Sequence, residues 1–175
     1  RQLAGPDLAR ELRVLLDRAD IPADALVLEI TEGALMGDDG RETVAELART
    51  GARVALDDFG TGYSSLSYLA RLPIDVIKID KSFTDDVPDG PNAPLLAGVV
   101  ALAHRLGKLV VVEGVECTEQ ATALLGMGAT VGQGYLYSRP VPVSEAAALV
   151  AAETERRATP APPAAGSCRC GSWAA

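Results

Sequence analysis

The sequence predicts an α/β fold in which parallel β-strands alternate with α-helices. Five short apolar runs are separated by longer stretches whose apolar residues recur at helical spacing. Each apolar run ends in polar or charged residues, as expected where a buried strand reaches the surface. Right-handed crossovers connect the strands of such a chain, in either an open doubly wound sheet or a closed barrel. Periodicity alone does not distinguish these two architectures.

The elements follow one another in a regular order. An amphipathic helix is predicted over residues 6–20, where leucines recur at helical spacing before Ile21-Pro22. Strands are predicted at residues 25–30, 53–56, 76–79, 109–112 and, from a weaker pattern, 130–136. Helices are predicted at residues 41–49, 65–70, 93–105, 119–125 and 144–152. The Ala/Pro-rich composition from Thr154 onward predicts a disordered tail over residues 154–175.

Composition narrows the class of protein. The chain is 48% hydrophobic and 23% charged, which is typical of a globular protein with a packed core. Its formal charge of −8 argues against binding to nucleic-acid polymers, which clustered Lys and Arg would grip. Cys117, Cys168 and Cys170 form no disulfide framework, and no run approaches the roughly 20 apolar residues of a membrane span. We expect a cytoplasmic protein, and any membrane anchor of the parent protein is expected outside this chain.

Acidic and polar residues stand at the ends of the predicted strands. The C-terminal ends of parallel strands share one edge, so these residues converge there. They are Glu29, Asp57, Asp58, Lys78, Asp80, Glu113, Glu116 and Gln133. Massed carboxylates repel one another unless cations bind, and their oxygens suit Mg²⁺, Mn²⁺ or Ca²⁺. Two such cations are the standard device for phosphodiester hydrolysis, with Lys78 orienting water or neutralising phosphate charge.

Each of these residues also has a structural interpretation. Asp57 or Asp58 would cap the following turn, Lys78 would pair with Asp80, and Glu113 would cap a helix. Capping does not require an acid or amide at the end of every strand. The coincidence therefore favours a metal site.

Other kinds of site are disfavoured. His104 is the only histidine and lies in a predicted helix, so a Ser-His-Asp or Cys-His arrangement has no base to use. Cys117 lacks a nearby basic partner that would favour a catalytic thiolate. The glycine-containing loop 59–65 has neither the phosphate-loop Lys nor the G-x-G-x-x-G spacing. We interpret it as a mobile or interface loop beside the site.

Five motifs together resemble the EAL domain of bacterial cyclic di-GMP phosphodiesterases. They are LEITE at 28–32, LDDFGTGYSSL at 56–66, LPIDVIKIDKSF at 72–83, VEGVE at 112–116 and QGY at 133–135. The resemblance implies a TIM-type (β/α) barrel whose C-terminal face binds two divalent cations, Mg²⁺ or Mn²⁺. It also implies hydrolysis of cyclic di-GMP to linear pGpG.

The resemblance also assigns residue roles. Glu29 and Asp57 resemble ligands of one metal, and Asp57 bridges to a second metal that Asp58 holds. Lys78 resembles the residue that positions the attacking water.

Further roles follow from the same resemblance. Glu113 resembles a metal ligand or general base, and Gln133 a member of the metal and water network. Glu32 resembles the acid that anchors loop 59–65, through which family members couple dimer contacts to catalysis. Asp80 and Glu116 resemble residues that support the ligands.

The front of the family pattern is absent from this sequence. The signature Glu-Ala-Leu strand and the following Asn-Leu-Ser strand are missing, and with them a metal-binding glutamate, a metal-binding asparagine and an arginine near the substrate. We therefore expect residues 1–153 to be the C-terminal two-thirds of the barrel, with about five of eight strands. Such a fragment would expose sheet edges beside Val27 and Val131 and would be unstable or oligomeric alone.

Three functions compete at this point. The first is a phosphodiesterase domain, inactive as this fragment, that forms a homodimer when intact and follows an upstream GGDEF or sensory domain. The second is a nonhydrolytic module that binds cyclic di-GMP or a protein partner. The third is an unrelated metal-dependent barrel enzyme.

Overall fold

The computed structural model describes residues 7–35, 38–61 and 66–158 of the chain. The helices are α1 (Leu8–Ala19), α2 (Asp38–Ala48), α3 (Leu66–Arg71), α4 (Ala93–Arg105), α5 (Thr118–Gly126) and α6 (Val143–Ala158). The strands are β1 (Val27–Thr31), β2 (Arg53–Phe59), β3 (Val76–Ile79), β4 (Leu109–Val112) and β5 (Val131–Gly132). Three 3₁₀ turns, at Ala23–Ala25, Glu32–Leu35 and Lys81–Phe83, were not predicted.

The five strands form one sheet in the order β1-β2-β3-β4-β5, and every neighbouring pair is parallel. The predicted α/β class with parallel strands is therefore confirmed. Among the described residues β1 and β5 are the outer strands of this sheet. Val27 on β1 and Val131 on β5 are 43% and 39% exposed, as expected beside uncovered edges.

Two elements differ from the prediction. The run at 130–136 is a strand only at Val131–Gly132, because the chain then turns and its backbone passes against the backbone of Val115 at Gly134. A side chain at Gly134 would not fit there. Helix α6 continues to Ala158, so the first residues of the predicted tail are helical, while residues 159–175 lie outside the described residues.

The described chain divides into two units, one ending at Ser138 and one beginning at Arg139. The first contains the whole sheet and α1 to α5, and the second contains α6. No helix in the described ranges combines the length and the apolar character needed to cross a membrane.

The core of the first unit lies between one face of the sheet and the helices. Apolar side chains of the strands alternate towards this face, and those of α2 to α5 meet them there. The strand residues buried in this core include Ile30, Val54, Leu56, Ile77, Ile79, Val110 and Val112, and the helical ones include Val44, Leu69, Leu96, Val100 and Leu124. On α4 the buried positions recur at helical spacing, so a single stripe of this helix packs on the sheet.

Asp75 fixes how β2 and β3 start relative to each other. Its carboxylate Oδ2 accepts a hydrogen bond from the backbone N of Val54 at 2.9 Å, and its own N donates to the carbonyl of Val54 at 2.8 Å. Its carbonyl accepts from the backbone N of Leu109 on β4 at 2.9 Å. One residue therefore aligns three adjacent strands before they reach their polar ends.

Asp75→Ala is expected to lower the free energy of unfolding by about 1.5 kcal/mol, because the backbone N–H of Val54 loses a charged acceptor. Urea denaturation of the purified chain measures this change. Asp75→Asn keeps an acceptor oxygen and should lose less, and Asp89→Ala at an exposed position is the matched control. Equal stability of Asp75→Ala and the parent chain would contradict this role.

Candidate active site

The strand register places three predicted site residues on one face of the sheet. Glu29 on β1 pairs with Ala55, which lies two residues before Asp57 on β2. Ala55 pairs in turn with Val76, which lies two residues before Lys78 on β3. Side chains two residues apart point to the same face of a strand. This is the sheet face opposite the helix-packed core.

Lys78 is the centre of the arrangement. It pairs with Val111 on β4, two residues before Glu113, so Glu113 joins the same face. The Lys78 Nζ atom lies 2.9 Å from Glu29 Oε2, 2.7 Å from Asp57 Oδ1 and 2.8 Å from Glu113 Oε1. Its residue is only 7% exposed. One buried ammonium therefore joins carboxylates from three other strands or their ends.

The charge state of Lys78 follows from these contacts. Burial alone would lower the pKa of its ammonium, but the hydrogen bonds to Asp57, Glu113 and Glu29 outweigh burial and raise the pKa above its ordinary value of 10.5. Lys78 therefore contributes to the stability of the folded state below its ordinary pKa, and this contribution is lost as the pH rises through the raised pKa. Lys78 is an ammonium at neutral pH and does not act there as a base.

Asp57 and Asp58 present their carboxylates together although they are neighbours on one strand. The register between β2 and β3 shifts between Leu56 and Phe59, and Asp58 has a φ of 54°, in the left-handed region. The backbone N and the hydroxyl of Thr61 both donate to the carbonyl of Asp58, at 3.2 and 3.0 Å, which closes this turn. The irregularity overcomes the alternation that would otherwise send the two side chains to opposite faces.

The resulting donor set fits a divalent cation. Carboxylate oxygens of Asp57, Asp58 and Glu113 all lie within 4.8 Å of one another, and each of these residues is half-buried. Hard cations such as Mg²⁺ and Mn²⁺ bind oxygen ligands of this type. Glu29 belongs to the same cluster through its contact with Lys78.

Asp80 lies outside this cluster in its interactions. Its carboxylate accepts a hydrogen bond from the backbone N of Ser82 at 3.0 Å at the start of the 3₁₀ turn Lys81–Phe83. Hydrogen bonding to Ser82 lowers the pKa of Asp80 below its ordinary value. The structural alternative in which Lys78 pairs with Asp80 is therefore wrong, because Lys78 contacts the three other carboxylates.

The remaining predicted residues surround the cluster. Glu116 is exposed and its Oε1 lies 2.7 Å from Lys81 Nζ. Gln133 follows β5, and two backbone hydrogen bonds fix its position. Its N donates to the carbonyl of Val112 at 2.9 Å, and its carbonyl accepts from the N of Val115 at 3.0 Å. Glu32 begins the 3₁₀ turn after β1 and is half-buried. Residues 62–65 of the loop that Glu32 is predicted to anchor lie outside the described residues.

Comparison with known proteins decides the family. The family model for the EAL domain matches residues 1–140. The chain belongs to the EAL domain family. This chain is 38% identical over 153 residues to MucR of Pseudomonas aeruginosa, a bifunctional diguanylate cyclase/cyclic di-GMP phosphodiesterase. That match covers 86% of this chain and 22% of MucR, so the chain spans about one fifth of the length of this relative.

Solved structures agree with this assignment. The EAL domain of DcpA from Mycobacterium smegmatis superposes with a TM-score of 0.81 at 38% identity, over 86% of this chain and 69% of that one. A manganese and cyclic di-GMP complex of BlrP1 from Klebsiella pneumoniae gives a TM-score of 0.73 at 36% identity, over 78% of this chain and 36% of that one. The predicted TIM-type α/β fold, present here as five of the barrel strands, is confirmed.

Two buried polar residues of this EAL domain were missed by sequence reasoning. Thr84 is 0% exposed and hydrogen-bonds to the backbone of Glu113, and Gln120 is 9% exposed and hydrogen-bonds to the backbone of Glu116 and Cys117. Gln120 stands three residues after Cys117 at the start of α5, a spacing that resembles a capping box. This spacing could have identified Gln120 from the sequence. Thr84 has no such signal in the sequence.

Lys78→Met is expected to destabilise the protein by about 3 kcal/mol in the presence of a chelator, because three clustered carboxylates lose their shared counter-charge. Excess Mn²⁺ should restore much of the loss, since a cation bound by the carboxylates replaces the missing positive charge. Thermal denaturation with EDTA or with Mn²⁺ measures both effects.

Lys108→Met removes a half-buried lysine elsewhere in the first unit and is the matched control, with little change expected in either condition. A loss of stability in Lys78→Met that Mn²⁺ leaves unchanged would show that the carboxylates do not bind the metal.

Proposed function

We propose that this chain supplies most of the catalytic face of a cyclic di-GMP phosphodiesterase domain, which opens one phosphodiester of the ring to give linear pGpG. The observation that carries the proposal is the convergence of Asp57, Asp58 and Glu113 within 4.8 Å, beside a buried Lys78. MucR, whose name includes this activity, and the BlrP1 complex with manganese and cyclic di-GMP support it.

Two divalent cations, Mg²⁺ or Mn²⁺, would supply a hydroxide nucleophile and stabilise the leaving oxygen. Glu29 and Asp57 are the proposed ligands of one cation. Carboxylate oxygens of Asp57 and Asp58 lie within 4.8 Å of each other, so the two residues together would hold a second cation. The left-handed turn at Asp58 brings the carboxylates of these two adjacent residues together.

Lys78 contributes a fixed positive charge to the proposed reaction. As an ammonium it donates hydrogen bonds, so it orients the attacking water or a phosphate oxygen and does not remove a proton. Glu113, which Lys78 contacts at 2.8 Å, is the proposed base or further ligand. Gln133 carries an amide at the next strand end and is proposed to complete the water network.

Three further residues support the proposed site from outside. Asp80 caps the 3₁₀ turn that begins with Lys81, and Glu116 binds that lysine. Glu32 is proposed to anchor the loop after β2, which would couple a homodimer contact to catalysis.

The domain context is also a proposal. MucR carries a diguanylate cyclase activity as well as the phosphodiesterase, which supports an upstream GGDEF or sensory domain for this protein. A cytoplasmic location fits the nucleotide substrate. The partner is cyclic di-GMP itself, and we propose no nucleic-acid polymer.

Conversion of cyclic di-GMP to pGpG with Mg²⁺ or Mn²⁺ tests the function directly. The 175-residue chain and a version extended with the N-terminal strands of an EAL domain are assayed side by side. We expect turnover in the extended version, because the family pattern places further metal ligands on those strands. Absence of turnover in both, with binding of cyclic di-GMP retained, would replace the enzyme with a nonhydrolytic binding module.

Asp57→Asn in the extended version is expected to abolish turnover, because an amide oxygen without charge no longer bridges two cations. The rate of pGpG formation measures this loss, and Asp89→Asn at an exposed position is the control. Near-normal hydrolysis by Asp57→Asn would contradict the assigned role.

A further inference from the structure

Backbone hydrogen bonds hold the loop after β4 on two sides. The N of Glu113 donates to the carbonyl of Ile79 at 2.9 Å and continues the strand ladder by one residue. The N of Val115 donates to the carbonyl of Gln133 at 3.0 Å, and the carbonyl of Val115 accepts from Leu136 at 3.0 Å. Residues 113–115 are thus bonded to β3 on one side and to the turn after β5 on the other.

Gln120 holds the next part of the same loop from inside the protein. Its Oε1 accepts hydrogen bonds from the backbone N atoms of Glu116 at 2.8 Å and Cys117 at 3.2 Å. Its Nε2 donates to the carbonyl of Thr84 at 3.0 Å. Only the amide of glutamine provides both an acceptor and a donor in this arrangement, because a carboxylate would face the Thr84 carbonyl without a hydrogen to offer.

Thr84 closes the network at Glu113. Its hydroxyl donates to the backbone carbonyl of Glu113 at 2.7 Å, and its side chain is fully buried. The backbone of Thr84 is fixed in turn by its N, which donates to the carbonyl of Lys81 at 2.7 Å. A continuous series of hydrogen bonds therefore runs from α5 through Thr84 to the residue whose carboxylate contacts Lys78.

We propose that Thr84 and Gln120 are positioning residues for the reaction. They orient the backbone of Glu113, and so keep its carboxylate against Lys78 and within reach of a cation shared with Asp57. Neither side chain touches the proposed reacting atoms. This inference rests on the proposed function, and it extends that function to two buried residues outside the acidic cluster. Outer groups of this type typically change metal affinity or activity by about 10- to 100-fold when they are removed.

A valine and serine pair at Thr84 separates positioning from packing. Thr84→Val keeps the shape of the side chain and removes the hydroxyl, whereas Thr84→Ser keeps the hydroxyl and removes a buried methyl group. In the extended version Thr84→Val is expected to lower kcat about tenfold with KM changed less than about twofold. Thr84→Ser should keep near-normal kcat although it also loses packing.

The same variants are made in the 175-residue chain, where Mn²⁺ titration reports on metal binding by the cluster without turnover. Thr84→Val should weaken Mn²⁺ binding about tenfold and Thr84→Ser should not. Thr122→Val is the matched control, because the Thr122 hydroxyl also donates to a backbone carbonyl, that of Thr118 at 2.8 Å, but on the exposed side of α5. Gln120→Leu should increase amide hydrogen exchange at Glu116 and Cys117.

The outcomes separate the two proposals. If the wild-type protein hydrolyses cyclic di-GMP and binds Mn²⁺, and Thr84→Val does both equally well, the positioning role alone is overturned. An equal loss in Thr84→Val and Thr84→Ser would also overturn it, because packing would then explain both. If the wild-type chain does not bind Mn²⁺ and its extended version does not hydrolyse cyclic di-GMP, both the proposed function and the positioning role are overturned.

Discussion

The pairing of one buried ammonium with three carboxylates is the constraint on which the rest of the sheet depends. A charge that is removed from water is tolerated only when it is well paired and hydrogen-bonded, and Lys78 meets that requirement through partners on β1, β2 and the end of β4. Each partner reaches Lys78 only if its strand has the observed register. A shift of one residue in any of these strands would move its carboxylate to the opposite face and leave the lysine underpaired.

Because side chains alternate between the two faces of the sheet, one face packs on the helices and the other carries the site. One set of alternate residues is apolar and packs under the helices, and the other set carries the acidic cluster and apolar positions such as Val27, Leu109 and Val131. Alternation would also separate Asp57 from Asp58. The left-handed residue at Asp58 is the local exception that brings them together.

Sequence patterns predicted the fold and the cluster because both follow from simple periodicities. Apolar runs located β3 and β4 at their observed bounds, and convergence of parallel strand ends brought together Glu29, Asp57, Lys78 and Glu113. The short β5 was not predictable, since its end is set by a tertiary approach of Gly134 to Val115. Thr84 was missed because a hydrogen bond between distant loops leaves no periodic trace in the sequence, and Gln120 was marked only by its capping-box spacing from Cys117.

The loops after β3, β4 and β5 are built as one piece. Gly114 lies against the side chain of Lys81, and Gly134 lies against the backbone of Val115, with no room for a side chain at either glycine. The loop after β4 therefore packs against the loop after β3, and the loop after β5 packs against the loop after β4. Exchanging any one of them with the loop of another EAL domain would separate a glycine from the surface that it fits, so chimaeras should transfer the three loops together. Diversity among such domains is therefore expected to accumulate in these loops as coordinated sets of changes.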